Sequence, residues 1–199
     1  MNAATPIHEL LRRRWSPRSF LPQPLPPGAL ASLLEAARWA PSAFNEQPWR
    51  IVAAVRENEE DFERIASCLV EANGWARSAS ALLVAIAKTT FTKNGRPNAH
   101  SSYDLGASVL SLSLQAHALD LAAHEMAGFD PARTREVLGI PDGFEPMTIV
   151  AVGSPGPADA LPPRLREAEL APRVRLPLSE IAFGGRFGAH LDLEPRDRR

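Results

Sequence analysis

Apolar residues recur at Leu30, Leu33, Leu34 and Ala37, the i, i+3, i+4, i+7 spacing of a helix with one buried face, and predict an amphipathic helix over 27–39 that Pro41 stops. A shorter opening helix is expected over 7–14, ending before Pro17 because the residue preceding a proline is pushed out of helical geometry. Two segments, the apolar run 51–55 opened by Arg50 and the continuous apolar run 81–87, look like buried strands and bracket a helix over about 58–71. Residues 103–119 are apolar on nearly every face, so that helix must be central or interfacial. Strands follow over 121–126 and 148–152. Between them Asp130-Pro131 offers an N-cap with proline at N1 for a helix closed by Gly139 and Pro141. The loop 88–101 is polar. No repeat or heptad run interrupts this order, so the chain reads as helices interleaved with a mostly buried sheet.

The pattern fades after Pro155. Prolines and arginines replace core-forming residues, and a segment of that composition cannot fold upon itself. It is expected to lie on something else, and a second subunit is the natural support. Residues 1–154 are then the core of a single domain and 155–199 its arm.

Composition narrows the function classes. A chain of 199 residues with 45% hydrophobic residues, 23% charged residues and a net charge of -1 has no general attraction for nucleic acid. Cys68 is alone, which excludes an intrachain disulfide and cysteine-paired zinc frameworks and fits a reducing, cytoplasmic setting. The five histidines show no metal-ligand spacing. Glu9 and the arginines of the first twenty residues, with no apolar core segment among them, lead us to expect no secretory signal, and no stretch approaches the ~20 apolar residues that a spanning helix requires.

Two segments carry chemistry. Arg14, Ser16 and Arg18 place two guanidinium groups and a hydroxyl within five residues, around the turn fixed by Pro17, a set suited to a phosphate. The bland alternative is a solvated helix end whose arginine stems cover apolar surface. The segment 41–49 packs Ser42, Asn45 and Gln47 between Pro41 and Pro48 and is edged by Phe44 and Trp49, which suits the rim of a planar heterocycle. Its alternative is a helix-to-strand connection whose amides satisfy their own backbone. His124 is expected to be a hydrogen-bonded structural residue. Tyr103, Phe44, Trp49 and Trp75 are expected to pack, and Cys68 to be inert core.

These two segments, in this order, resemble the nitroreductase-like family of FMN flavoproteins. Asp104-Leu-Gly-Ala is similar to the start of that family's long central helix, and Met126-Ala-Gly-Phe-Asp130 with Leu138-Gly-Ile-Pro141 to its next block. Arg173-Val-Arg-Leu-Pro-Leu178 resembles its terminal basic motif, so the likeness runs from about residue 7 to 180. The resemblance implies an α+β, three-layer fold with a mostly antiparallel central sheet flanked by helices, and a homodimer whose C-terminal arm extends over the partner.

It also implies roles. Arg14, Ser16 and Arg18 would hold the FMN phosphate and ribityl end, with Arg173 and Arg175 closing over the phosphate; Trp15 departs from the family pattern, and its indole could instead cover the site. Ser42, Asn45 and Gln47 would reach the flavin, with Pro41 to Ala43 presented by the partner subunit. Met126, Ala127 and Gly128 would border the ring, the last two directing backbone donors at flavin N5 and O4. NAD(P)H would be a transient hydride donor, and a nitroaromatic or quinone the acceptor, in ping-pong order. Specialised dehalogenation or flavin-cleaving chemistry, or a non-catalytic flavin-binding scaffold, are the competing readings. Trp15 stands where many relatives carry a basic residue. Ala127 stands where one branch carries glutamate, and the chain is closer to the branch reading His-x-Met-Ala-Gly-Phe-Asp.

Overall fold

A computed structural model describes residues 5–193. Strands β1 (Trp49–Val55), β2 (Ala81–Lys88), β3 (Ala122–Met126) and β4 (Phe144–Gly153) form one sheet in the order β1-β2-β4-β3, and every neighbouring pair is antiparallel. Central β2 is buried along nearly its whole length although both of its neighbours are antiparallel to it, because helices cover both faces.

The pleat sorts the side chains. Leu82, Val84 and Ile86 of β2, with Ile149 and Ala151 of β4, point to a face packed by α3 (Glu59–Ala66), α5 (Pro131–Val137) and a 3₁₀ turn over Glu71–Ser78. Leu83, Ala85 and Ala87, with Val150 and Val152, point the other way onto α2 (Ala29–Arg38) and α4 (Ser101–Ala118). The three-layer α+β architecture is therefore a direct product of period-two strands between period-3.6 helices. One irregularity bears on function. The β2–β4 register passes from Ala85 opposite Thr148 to Ile86 opposite Pro146, leaving Met147 as a bulge residue turned toward solvent.

α1 (Glu9–Arg13) is short, and α5 starts as its sequence dictates, with the Asp130 side chain accepting the Arg133 N–H and Pro131 at the first position. α3 is capped by Asn58 but ends five residues before the expected Glu71. Tertiary pairing is the reason: Leu69 bridges Phe129 and the Val70 N–H donates to the Gly128 carbonyl, which pulls the chain out of helical geometry.

The expectation for the arm needs correction over 155–170. Those residues, which include α6 (Pro163–Leu170), lie on the chain's own body: Pro155 bridges Phe20, the Gly156 N–H donates to the Ser19 carbonyl, and Ser19 Oγ donates to the Pro157 carbonyl. Hydrogen bonds, which a hydrophobic pattern does not report, do the docking. Residues 171–193 form a separate unit containing one short helix, α7 (Leu178–Ile181).

Candidate active site

The segment from Arg14 to Ser19 leaves α1 without regular structure and meets the edge strand β3 through the Pro17 carbonyl. Arg14 caps α1 through its N–H to the Leu10 carbonyl, and its Nη1 donates to Ser16 Oγ at 3.1 Å. Two of the three clamp donors thus share one local contact. Arg18 Nη1 lies 3.9 Å from the Glu169 carboxylate of α6, and the Arg18 side chain remains 32% exposed. That separation exceeds hydrogen-bond length, so the guanidinium keeps donors for another anion. The Trp15 N–H donates to His117 Nε2 at 3.2 Å, and His124 Nδ1 donates to the Pro17 carbonyl at 2.8 Å. His124 also packs against Trp75, with ring centroids 4.6 Å apart, which agrees with a structural histidine.

Arg14 opens onto a cavity of about 410 Å³ lined by Leu105, Gly106, Val109 and Leu110 of α4, Glu125 of β3 and the bulge residue Met147. Glu125 is engaged by Ser113 Oγ, so the wall of this cavity holds a hydrogen-bonded carboxylate. Just past β3 stand Ala127 and Gly128. Among the described residues neither N–H donates to a backbone carbonyl, whereas the Gly128 carbonyl accepts from Val70 N and Asn73 Nδ2. Met126 is 2% exposed and belongs to the core, so only its main chain can border a ligand. Glycine at 128 has a packing cause: a Cβ would meet Asn73 Nδ2 at 2.6 Å and Val70 Cγ2 at 3.0 Å.

The 41–47 loop is wound on itself. Ser42 Oγ accepts the Gln47 N–H at 3.0 Å, and Gln47 Nε2 donates to the Asn45 carbonyl at 3.2 Å. Within one protomer Ser42 and Gln47 therefore satisfy the loop's own backbone, while the Asn45 side chain is exposed. Phe44, Asn45 and Gln47 all have positive φ, at 54°, 55° and 51°, a left-handed conformation that costs a non-glycine residue about 1–2 kcal/mol. Such strain persists only where surroundings enforce it. Asp104, 3% exposed at the start of α4, accepts the Ala43 N–H at 3.1 Å. Glu46 accepts from the Thr92 N–H at 2.6 Å and from its hydroxyl, and pairs with Lys88 at 3.5 Å. The Thr92 hydroxyl and N–H, with Lys88 behind them, lower the Glu46 pKa.

Glu46, His117 and Glu169 were not singled out by sequence reasoning, and Asp104 entered it only as the first residue of a motif, without a role. Asp104 and His117 had a signal, since polar residues at buried positions of an apolar helix require partners. Glu169 had none. Two aromatic expectations are overturned: Phe44 is 92% and Tyr103 78% exposed, while Trp49 and Trp75 pack as expected. Phe44 stands on the positive-φ loop with its ring edge-on to Phe91, centroids 6.0 Å apart, and Tyr103 stands edge-on to His100 at 6.4 Å on an α4 face that the sheet does not cover. Arg173 and Arg175 belong to residues 171–193, where Arg175 Nη1 donates to the Val174 carbonyl at 2.8 Å.

Residues 11–154 match the family described as the Nitroreductase family. The chain is 33% identical to the NADH dehydrogenase of Thermus thermophilus, the match covering 92% of this chain and 99% of that protein. Over a shorter stretch, 33% of this chain and 28% of the relative, it is 41% identical to the nitrobenzene nitroreductase of Ectopseudomonas oleovorans. A solved structure described as an oxidoreductase containing FMN superposes with a TM-score of 0.89 at 41% identity, covering 95% of this chain and 96% of that one.

Proposed function

Because the chain belongs to the nitroreductase family, we propose that it is an FMN-dependent oxidoreductase that transfers hydride from NAD(P)H to an electron-poor acceptor such as a nitroaromatic or a quinone. The observation that carries this reading is local. In the segment that carries Arg14, Ser16 and Arg18, Arg14 Nη1 donates to Ser16 Oγ and the Pro17 carbonyl accepts from His124 of β3, and just past that strand the N–H groups of Ala127 and Gly128 have no backbone acceptor among the described residues. Cationic and hydroxyl donors at one end with neutral backbone donors at the other match a molecule that is anionic at its tail and develops charge on a ring edge. Support also comes from the 41% identical structure described as containing FMN.

The chemistry that FMN supplies when bound is two-electron transfer between donor and acceptor. The chain's own work is binding and electrostatics. Arg14, Ser16 and Arg18 anchor the phosphate and ribityl end. Arg173 and Arg175 are the further phosphate-binding residues that the family resemblance implies, and Trp15 covers the site. Ala127 and Gly128 donate to the edge where negative charge appears, a role that needs no side chain and so tolerates alanine at 127. Ser42, Asn45 and Gln47 act on the ring of the neighbouring subunit's flavin, with Pro41 and Ala43 setting their approach. In this arrangement two sites lie at the interface of a cytoplasmic homodimer, and donor and acceptor use one shallow cavity in turn, giving ping-pong kinetics.

Purified without added cofactor, the protein is expected to be yellow and to release FMN on denaturation. It should oxidise NADH or NADPH only when a nitroaromatic or quinone is present. Arg14→Ala and Arg18→Ala should each weaken FMN binding by about tenfold or more. A colourless protein that refuses added FMN would refute the assignment.

A further inference from the structure

The Trp15–Ser19 main chain carries the clamp, yet side chains from three distant elements hold it in place. His117 of α4 accepts the Trp15 N–H through Nε2, while its Nδ1 stands 2.9 Å from the Ser113 carbonyl. His124 of β3 donates from Nδ1 to the Pro17 carbonyl. Glu169 of α6, its side chain 3% exposed, accepts the Arg18 N–H at 3.1 and 3.0 Å and the Ser19 N–H at 3.3 Å. These contacts satisfy four main-chain polar groups of an irregular segment that has no ladder of its own.

The carboxylate is the informative member. A negative charge beside a phosphate site weakens anion binding by repulsion, so affinity alone does not explain a glutamate buried there. Its bonds go to main-chain N–H groups, which would otherwise compete as anion donors. The guanidinium nitrogen of Arg18 stays 3.9 Å away. Burial favours the neutral imidazole at both histidines, and at His117 this keeps the Nε2 lone pair that accepts the Trp15 N–H while the proton sits on Nδ1 toward the Ser113 carbonyl.

We propose that Glu169, together with His117 and His124, positions the clamp: these side chains fix the main chain of residues 15–19 so that Arg14, Ser16 and Arg18 stand ready before a phosphate arrives. None of the three touches the ligand in this arrangement. The inference rests on reading the clamp as a phosphate site, and the test separates the two.

The full-length protein, stripped of flavin, is titrated with FMN and with riboflavin, which has the same ring and no phosphate. Wild type should bind FMN at least about tenfold more tightly, the margin expected of charge-assisted phosphate contacts. Glu169→Ala should raise the FMN dissociation constant about tenfold while leaving that of riboflavin within about twofold. Glu169→Gln, which retains one acceptor oxygen and the side-chain shape, should lose less, and it is the variant to read if the alanine protein does not fold. His124→Asn, whose amide can still donate to the Pro17 carbonyl, should retain more FMN preference than His124→Leu.

Three results overturn the inference: an unchanged FMN-to-riboflavin ratio, a parallel loss for both flavins, or tighter FMN binding once the carboxylate is gone. The last would mean that Glu169 merely repels. Wild type with no preference for FMN over riboflavin overturns the clamp reading itself, and this inference falls with it.

Discussion

Desolvation holds the imidazoles of His117 and His124 below their ordinary value of 6.5, and nearby arginines push in the same direction. Arg14 and Arg13 act on His117, with Glu125 opposing them. Arg18 acts on His124, opposed by Glu125 and Glu169. Unfolding returns both rings to water, where they take up a proton more readily, so the unfolded state binds more protons than the folded one below pH 6.5. Stability is therefore fully present above that value and falls as pH drops through the depressed folded values. Urea midpoints should decline between pH 7 and 5.5, a window above the titration of ordinary carboxylates, and His124→Asn should flatten the decline. A flat wild-type profile would contradict it.

Residue 128 gives a second test at this scale. Alanine there would displace the Asn73 amide from the Gly128 carbonyl, a 2.9 Å bond, and crowd Val70. The side chain can move, so the cost is about one hydrogen bond, roughly 1 kcal/mol, read from the denaturation midpoint. The chemistry of Arg14, Ser16 and Arg18 was legible in the sequence because ligand-binding donors are defined by residue type and spacing. Their holders were not, because Glu169 stands about 150 positions away from the amides that it accepts.

Elements were legible where one periodicity governed them. α2 and β2 follow their apolar patterns within about two residues, the usual uncertainty of an element end. α3 was read too long because nothing in its own sequence reports that Leu69 pairs with Phe129. The 155–170 segment was misread for a related reason, since its attachment is a close approach of main chains. A Cβ on Gly156 would lie 2.7 Å from Ser19 Oγ and 3.1 and 3.2 Å from the Phe20 carbonyl carbon and oxygen. The backbone there cannot yield as a side-chain tip does. Gly156→Ala should break the Gly156–Ser19 and Ser19–Pro157 bonds and destabilise the fold by about 1–3 kcal/mol. Because the same contact carries α6, the variant should also lose FMN preference over riboflavin. A variant with wild-type stability would show that the segment is only loosely laid on the body.

At the scale of the molecule, α4 raises the question of what covers its second face. Leu105, Val109, Leu112 and Ala116 are buried against the sheet, yet Leu110 is 47% and Tyr103 78% exposed, with Met147 on its bulge 40% exposed. Leu110 and Met147 also line the cavity at Arg14, so the uncovered apolar surface and the clamp share a border. Water is a poor neighbour for that surface, at about 25 cal/mol per Å² left exposed. A second copy meeting α4 there would cover it and complete the wall of the flavin site together. On this view dimerisation and cofactor retention are one event. Leu110→Glu places a charge on the shared border without touching the buried face. The wild-type protein is expected to sediment as a dimer, and the variant as a monomer that has lost most of its FMN. Residual colour in the monomer would show that one subunit suffices to hold the flavin. A wild-type monomer that retains full FMN would remove the interface from the account of the site, leaving the clamp and the Ala127–Gly128 donors to explain binding alone.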